Sequence, residues 1–156
     1  MDERHHKNTG IGYIAKPVSL IIYLAFLFWR MFFYAYSNFF RVQSKTYEYN
    51  LVPLKTIYSL ITGYSKYDLI VWVYNLFGNI LVFIPLGFLL ISLQREKSSI
   101  KTALIISLFI VLFAELMQLI LKVGVFDVDD IILNLIGSLI GCGIYKVIFK
   151  RKLLQA

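Results

Sequence analysis

One cysteine, three prolines and two histidines occur in 156 residues, and only 16% of the chain is charged. The lone Cys142 excludes an intrachain disulfide framework and reads as a small apolar packing residue in the run from Gly137 to Gly143. Low charge with abundant apolar residues excludes disorder, collagen and an ordinary coiled coil. There is no Gly-rich phosphate loop and no G-x-S-x-G elbow, and Asp127-x-Asp129-Asp130 lacks the Gly and distal Glu of an EF-hand. The longer acidic spacing of phosphatidyl-transferases is also absent. His5 and His6 fall in a polar tail and read as solvated. With no RNP, zinc-finger or helix-turn-helix pattern, the net charge of +7 implies an anionic lipid surface rather than nucleic acid.

What is present is apolar: 59% of residues are hydrophobic and 17% aromatic. Soluble domains average about 45–50% apolar and about 25% charged. So small a body has too little interior to hide this surface from water, so the bilayer is the fitting solvent. A spanning helix needs about 20 mostly apolar residues. Four stretches qualify, at about 18–37, 69–93, 99–121 and 127–149, flanked by polar tails at 1–17 and 150–156. The first has basic flanks and a cleavage-like Ala35-Tyr36-Ser37. It reads as a span rather than a signal peptide, because its polar lead is long and the apolar run resumes after Arg30. The expected fold is all-α: an integral membrane four-helix bundle with a short interfacial helix or loop between helices 1 and 2. Lysine and arginine divide ten to five in favour of the side that holds both termini, which predicts cytoplasmic termini. The loop after the first span is rich in Tyr and Lys. Residues 51–60 are expected to form a short helix or turn in the headgroup layer, with Pro53 in its first turn.

Ionisable and amide side chains are costly in a bilayer and usually face a bundle interior or a wet cavity. Glu115 and Gln118 share one face of the third span, and Asn75 and Asn79 share one face of the second. Asp127, Asp130 and Asn134 form a stripe at the start of the fourth, continued by Gly137 and Gly141 as a close-packing seam. Glu115 lies about 9 Å below the end of its helix, at about 1.5 Å per residue. Alternating helix direction brings these groups to one depth, under the first loop. A short turn around Gly124 makes the third and fourth spans antiparallel neighbours, so Glu115, Gln118, Asp130 and Asn134 are expected to meet in a polar pocket open to the outside. The plainer alternative is that Asp127 or Asp129 caps the fourth helix and the asparagines only bond across helices. Facing carboxylates would perturb one another, meet a base such as Lys122 or Lys55, or bind a cation. No cofactor is expected beyond a hard divalent cation, for which Glu115, Asp127 and Asp130 are the candidates.

The blocks Asn50-Leu51-Val52-Pro53, Asn75-Leu76-Phe77-Gly78-Asn79 running on to Pro85-Leu86-Gly87, Glu115-Leu116-Met117-Gln118, and Phe126-Asp127-Val128-Asp129-Asp130 through Asn134 occur in that order. This series resembles the VanZ-like family of bacterial membrane proteins over about residues 50–143. Many relatives carry Gly-Arg before the Phe-Asp block; here Gly124 is followed by Val125, so that arginine does not carry over. The family takes its name from a protein linked to low-level resistance to the glycopeptide antibiotic teicoplanin. The resemblance implies a multi-pass protein of the bacterial cell membrane and makes an envelope or antibiotic-tolerance role an expectation. Its matched residues are Asn50, Pro53, Asn79, Pro85, Gly87, Glu115, Gln118, Asp127, Asp130 and Asn134.

Three functions compete. In the first, Asn50, Asn75, Asn79, Glu115, Gln118, Asp127, Asp130 and Asn134 line a pocket for an envelope-precursor or lipid headgroup, or for part of a lipophilic glycopeptide. In the second, a carboxylate pair or a metal catalyses a reaction on an envelope lipid or glycan. The third is a scaffold subunit of a larger membrane complex. Membrane lipids are partners in every case, and the oligomeric state stays open.

Overall fold

The computed structural model describes residues 3–34, 47–62, 69–94 and 99–153. Four of its helices are long and apolar enough to cross a membrane. The chain is thus a helical membrane protein with one short additional helix. In order, the elements are α1 (Glu3–Trp29), a π-helical extension (Arg30–Tyr34), β1 (Tyr49–Asn50), α2 (Lys55–Thr62), α3 (Leu69–Leu93), α4 (Ile100–Leu121), β2 (Phe126–Asp127) and α5 (Val128–Leu153).

The first span begins within a longer helix. The helix runs from Glu3 through Gly10, Gly12 and Pro17 into the apolar run, so the polar lead is helical and continuous with the span. α3 occupies the expected 69–93. α4 starts where Ser99 accepts the Thr102 N–H at 3.3 Å, a side-chain N-cap. It ends where Lys122 takes a left-handed conformation with φ 54° and returns its N–H to the Gln118 and Leu119 carbonyls.

α1 and α3 run antiparallel. Lys16 Nζ donates to the Ser92 carbonyl at 3.0 Å at one end, and the Tyr23 hydroxyl donates to the Val82 carbonyl further along. α3 and α5 run parallel and touch backbone to backbone. A Cβ built on Gly137 would lie 2.1 Å from the Ile80 carbonyl oxygen, one on Gly141 1.9 Å from that of Ile84, and one on Gly87 2.0 Å from that of Ser138. Small residues allow this approach where the hydrophobic effect offers helices little attraction. Cys142, buried beside the seam, donates its thiol to the Gly87 carbonyl at 3.3 Å. Phe83, Leu86, Ile91, Ala103 and Val111 complete the core.

One element has no counterpart in the sequence reading. Tyr49 and Asn50 pair in parallel with Phe126 and Asp127, so the first loop is tied to the α4–α5 turn. α2 begins at Lys55, later than the expected residue 51. Pro53 lies in the preceding turn, closed by the Lys55 N–H to the Val52 carbonyl at 3.3 Å. That turn puts φ at 64° on Leu54, a position usually left to glycine. Tyr47, Tyr49, Leu51, Val52, Tyr58 and Ile61 are all exposed, which suits a segment lying in the headgroup layer.

Candidate functional site

The α3 and α5 N-termini and the α1 and α4 C-termini share one end of the bundle, and the polar residues gather there. Asp127 is the N-cap of α5: its Oδ1 accepts the Asp129 N–H at 2.9 Å. The same carboxylate reaches across the chain. Asn50 Nδ2 donates to its Oδ1 at 3.1 Å, and the Thr56 hydroxyl donates to its Oδ2 at 2.6 Å. Asn50 also donates to Thr56 Oγ1 at 3.0 Å and accepts the Val52 N–H at 3.3 Å, which shapes the turn before α2.

Asp129 is fully buried, and its carboxylate accepts three backbone N–H groups at the start of α2: Leu54 at 2.5 Å, Thr56 at 2.7 Å and Ile57 at 3.1 Å. The residues leading into α2, Val52-Pro53-Leu54, include no capping side chain, so the orphan N–H groups of that helix end take their acceptor from α5. Asp129 and Thr56 were not among the expected site residues. The missing local cap is the signal that could have pointed to an external acceptor.

Beneath this staple lies a second group. Glu115, 1% exposed, accepts the Asp127 N–H at 3.2 Å through Oε2. Asn79 donates to Asp130 Oδ1 at 2.7 Å. Glu115 and Asp130 lie in electrostatic range of each other and of Asp127, and Asp130 is also in range of Asp129. Asn134, one turn beyond Asp130, is 1% exposed and its Oδ1 has no hydrogen-bond partner. Further along the same faces, the hydroxyls of Ser138 and Ser107 are also buried without partners.

The structure therefore brings together Asn50, Asn79, Glu115, Asp127, Asp130 and Asn134. Gln118 turns away: its Nε2 donates to the Met31 carbonyl of the π-helical segment at 3.3 Å, bracing α4 against the end of the first span. Asn75 lies on α3, but its side chain falls outside the described residues. Lys122 sits 4.6 Å over the Tyr47 ring rather than on a carboxylate, and Lys55 is exposed. Among the described residues no three His, Cys, Asp or Glu are placed to hold a metal, and Asp127 is engaged with Asn50 and Thr56.

The expected open pocket is also modified. The segment from Asn50 to Ile57 covers Asp127 and Asp129, and two clefts among the described residues are apolar. One, of about 490 Å³, lies between α1 and α4 and is lined by Leu27, Phe28, Met31, Phe109, Phe113 and Ala114, among others. The other, of about 600 Å³, lies between α4 and α5.

Comparison with known proteins returns one family. The VanZ/LLP1 family model matches residues 20–150. No curated protein and no solved structure matches the chain. The matched segment takes in most of the first span, the other three spans and the buried acids among the described residues, and the chain belongs to the VanZ/LLP1 family.

Proposed function

We propose that this is a binding protein of the outer membrane-water interface, acting in the cell envelope or in tolerance to lipophilic glycopeptides. Its ligand is an envelope-lipid or precursor headgroup, or the polar part of a teicoplanin-type antibiotic. The observation that carries this reading is the acceptor-rich cluster of Glu115, Asp130 and Asn134, in which Glu115 and Asn134 are buried and the Asn134 Oδ1 has no partner. Carboxylates set among other acids are a costly way to hold helices together, and ligand chemistry explains them better. The α1–α4 cleft supports an amphipathic ligand, since Ala114 in its wall adjoins Glu115. The segment around α2, fixed to the bundle through polar contacts of Asp127 and Asp129, would act as the lid.

Asp130→Asn, expressed in a glycopeptide-sensitive host, is expected to abolish any tolerance that the wild-type chain confers, at unchanged membrane abundance by immunoblot. Full tolerance in that variant would sink the reading.

Orientation is tested separately in a Cys142→Ala background. Asp129 is buried and unsuited to labelling, whereas Lys122 and Lys101 are exposed at opposite ends of α4. Lys122→Cys is expected to react with an impermeant maleimide on intact cells, and Lys101→Cys only after permeabilisation. The reverse pattern would place the acids on the cytoplasmic side and remove an outer-leaflet ligand.

A further inference from the structure

We infer that the Glu115–Asp130 pair binds a cation, with the Asn134 amide oxygen as its neutral ligand. The inference rests on reading the cluster as a ligand site and goes beyond it by fixing the sign of charge on the bound group.

Three observations converge. The neighbours of the two carboxylates are other acids and hydrogen-bond donors, namely the Asp127 N–H for Glu115 and the Asn79 amide for Asp130. Two acids in electrostatic range disfavour each other's charged form, and a bound cation relieves that repulsion. Asn134 supplies the independent observation. It follows Asp130 by four residues, so the two share a face, and helical side chains lean toward the N-terminus, which aims this amide at Asp130. Its Oδ1 is buried and unpartnered. An amide oxygen beside two carboxylates is an oxygen-only donor set, suited to a hard metal ion or to a primary ammonium. The acids that complete the charge balance, Asp127 and Asp129, are already committed to Asn50, Thr56 and the α2 backbone. This leaves Glu115 and Asp130 as the acids open to a cation.

The shared chemistry has two sources, a free ion or the amine of a lipid headgroup, and one experiment separates them. The full chain is placed in nanodiscs of phosphatidylglycerol, and its thermal unfolding is followed in MgCl2, CaCl2 or MnCl2 against NaCl of equal ionic strength. The series is repeated with phosphatidylethanolamine in increasing proportion and no divalent ion. A saturable rise in midpoint with a divalent ion assigns a metal site, and a saturable rise with phosphatidylethanolamine alone assigns a headgroup amine. Either response should weaken about tenfold or more in Glu115→Gln and in Asp130→Asn, because each removes one charge of a buried pair. Asn134→Asp keeps the shape of the side chain, adds a charge and should tighten the response. No response to any of these cations overturns the inference, and so does an undiminished response in Glu115→Gln and Asp130→Asn. Cation binding by the purified protein together with full tolerance in Asp130→Asn cells would leave this inference standing and remove the envelope reading.

Discussion

Alanine at Gly141 is expected to be among the most damaging single changes in this chain. Its Cβ would stand 1.9 Å from the Ile84 carbonyl oxygen and 2.8 Å from the Phe88 nitrogen. Both obstacles are backbone atoms of a regular helix, so neither can rotate aside; α3 and α5 must separate. Overpacking a well-filled core typically costs about 1–3 kcal/mol, and a contact between two rigid backbones belongs at or beyond the top of that range. Separation would also break the contact of the Cys142 thiol with Gly87. The change should lower the detergent unfolding midpoint strongly, and Gly137→Ala should do the same, its Cβ lying 2.1 Å from the Ile80 carbonyl oxygen. Gly143 is the internal control. Nothing lies within 4 Å of a Cβ built there, so Gly143→Ala should be neutral or gain up to about 1 kcal/mol of helix propensity. Equal stability of the Gly141 and Gly143 variants would show that the two helices do not approach as described.

Loss of the Asp129 carboxylate should release α2 while leaving the bundle in place. Asp129→Ala strands three N–H groups, those of Leu54, Thr56 and Ile57, and leaves the left-handed Leu54 without the bond that fixes it. A hydrogen bond to a charged group contributes about 1.5–3 kcal/mol, and groups at a helix end recover part of that from water. A net loss of about 3 kcal/mol for the local docking is expected. Hydrogen exchange should read it as faster exchange over Lys55–Thr62, with the amides of α3 and α5 unchanged. Uniform acceleration through the bundle would mean that Asp129 supports the whole fold, and no change at α2 would mean that the staple is not formed. If α2 is a lid, Asp129→Ala should also weaken the tolerance phenotype without touching the acids beneath.

The reach and the limit of the sequence are visible in particular residues. The limits of α3 and α4 were legible because long apolar runs end at polar residues and at Ser99, which offers a cap. The gathering of Asn79, Glu115, Asp130 and Asn134 at one end followed from helical spacing and alternating direction. Gln118 shows the limit. It shares a face with Glu115 by spacing, yet the two side chains diverge enough that one meets the Asp127 backbone and the other the Met31 carbonyl. Spacing places a residue on a face to within a broad angle, and a bundle has different neighbours on either side of that angle.

Asp129 shows the same limit more sharply. Within its own helix it is an acidic first-turn residue, consistent with a favourable dipole interaction and nothing more. Its partners lie 72 to 75 residues earlier in a segment whose own capping signal is missing. Sequence alone determined that this chain carries four apolar helices long enough to cross a membrane, the limits of the second and third, and which family it resembles; the expected end of the first span at residue 37 lies outside the described residues. Those properties follow from hydrophobic run length and helical period, both local to the chain. The tertiary structure decided which of the acids are bound up in holding α2 and which remain for a ligand. That choice depends on the rotation of each helix about its axis, set by the close approach at Gly137 and Gly141, and on hydrogen bonds between segments far apart in the chain.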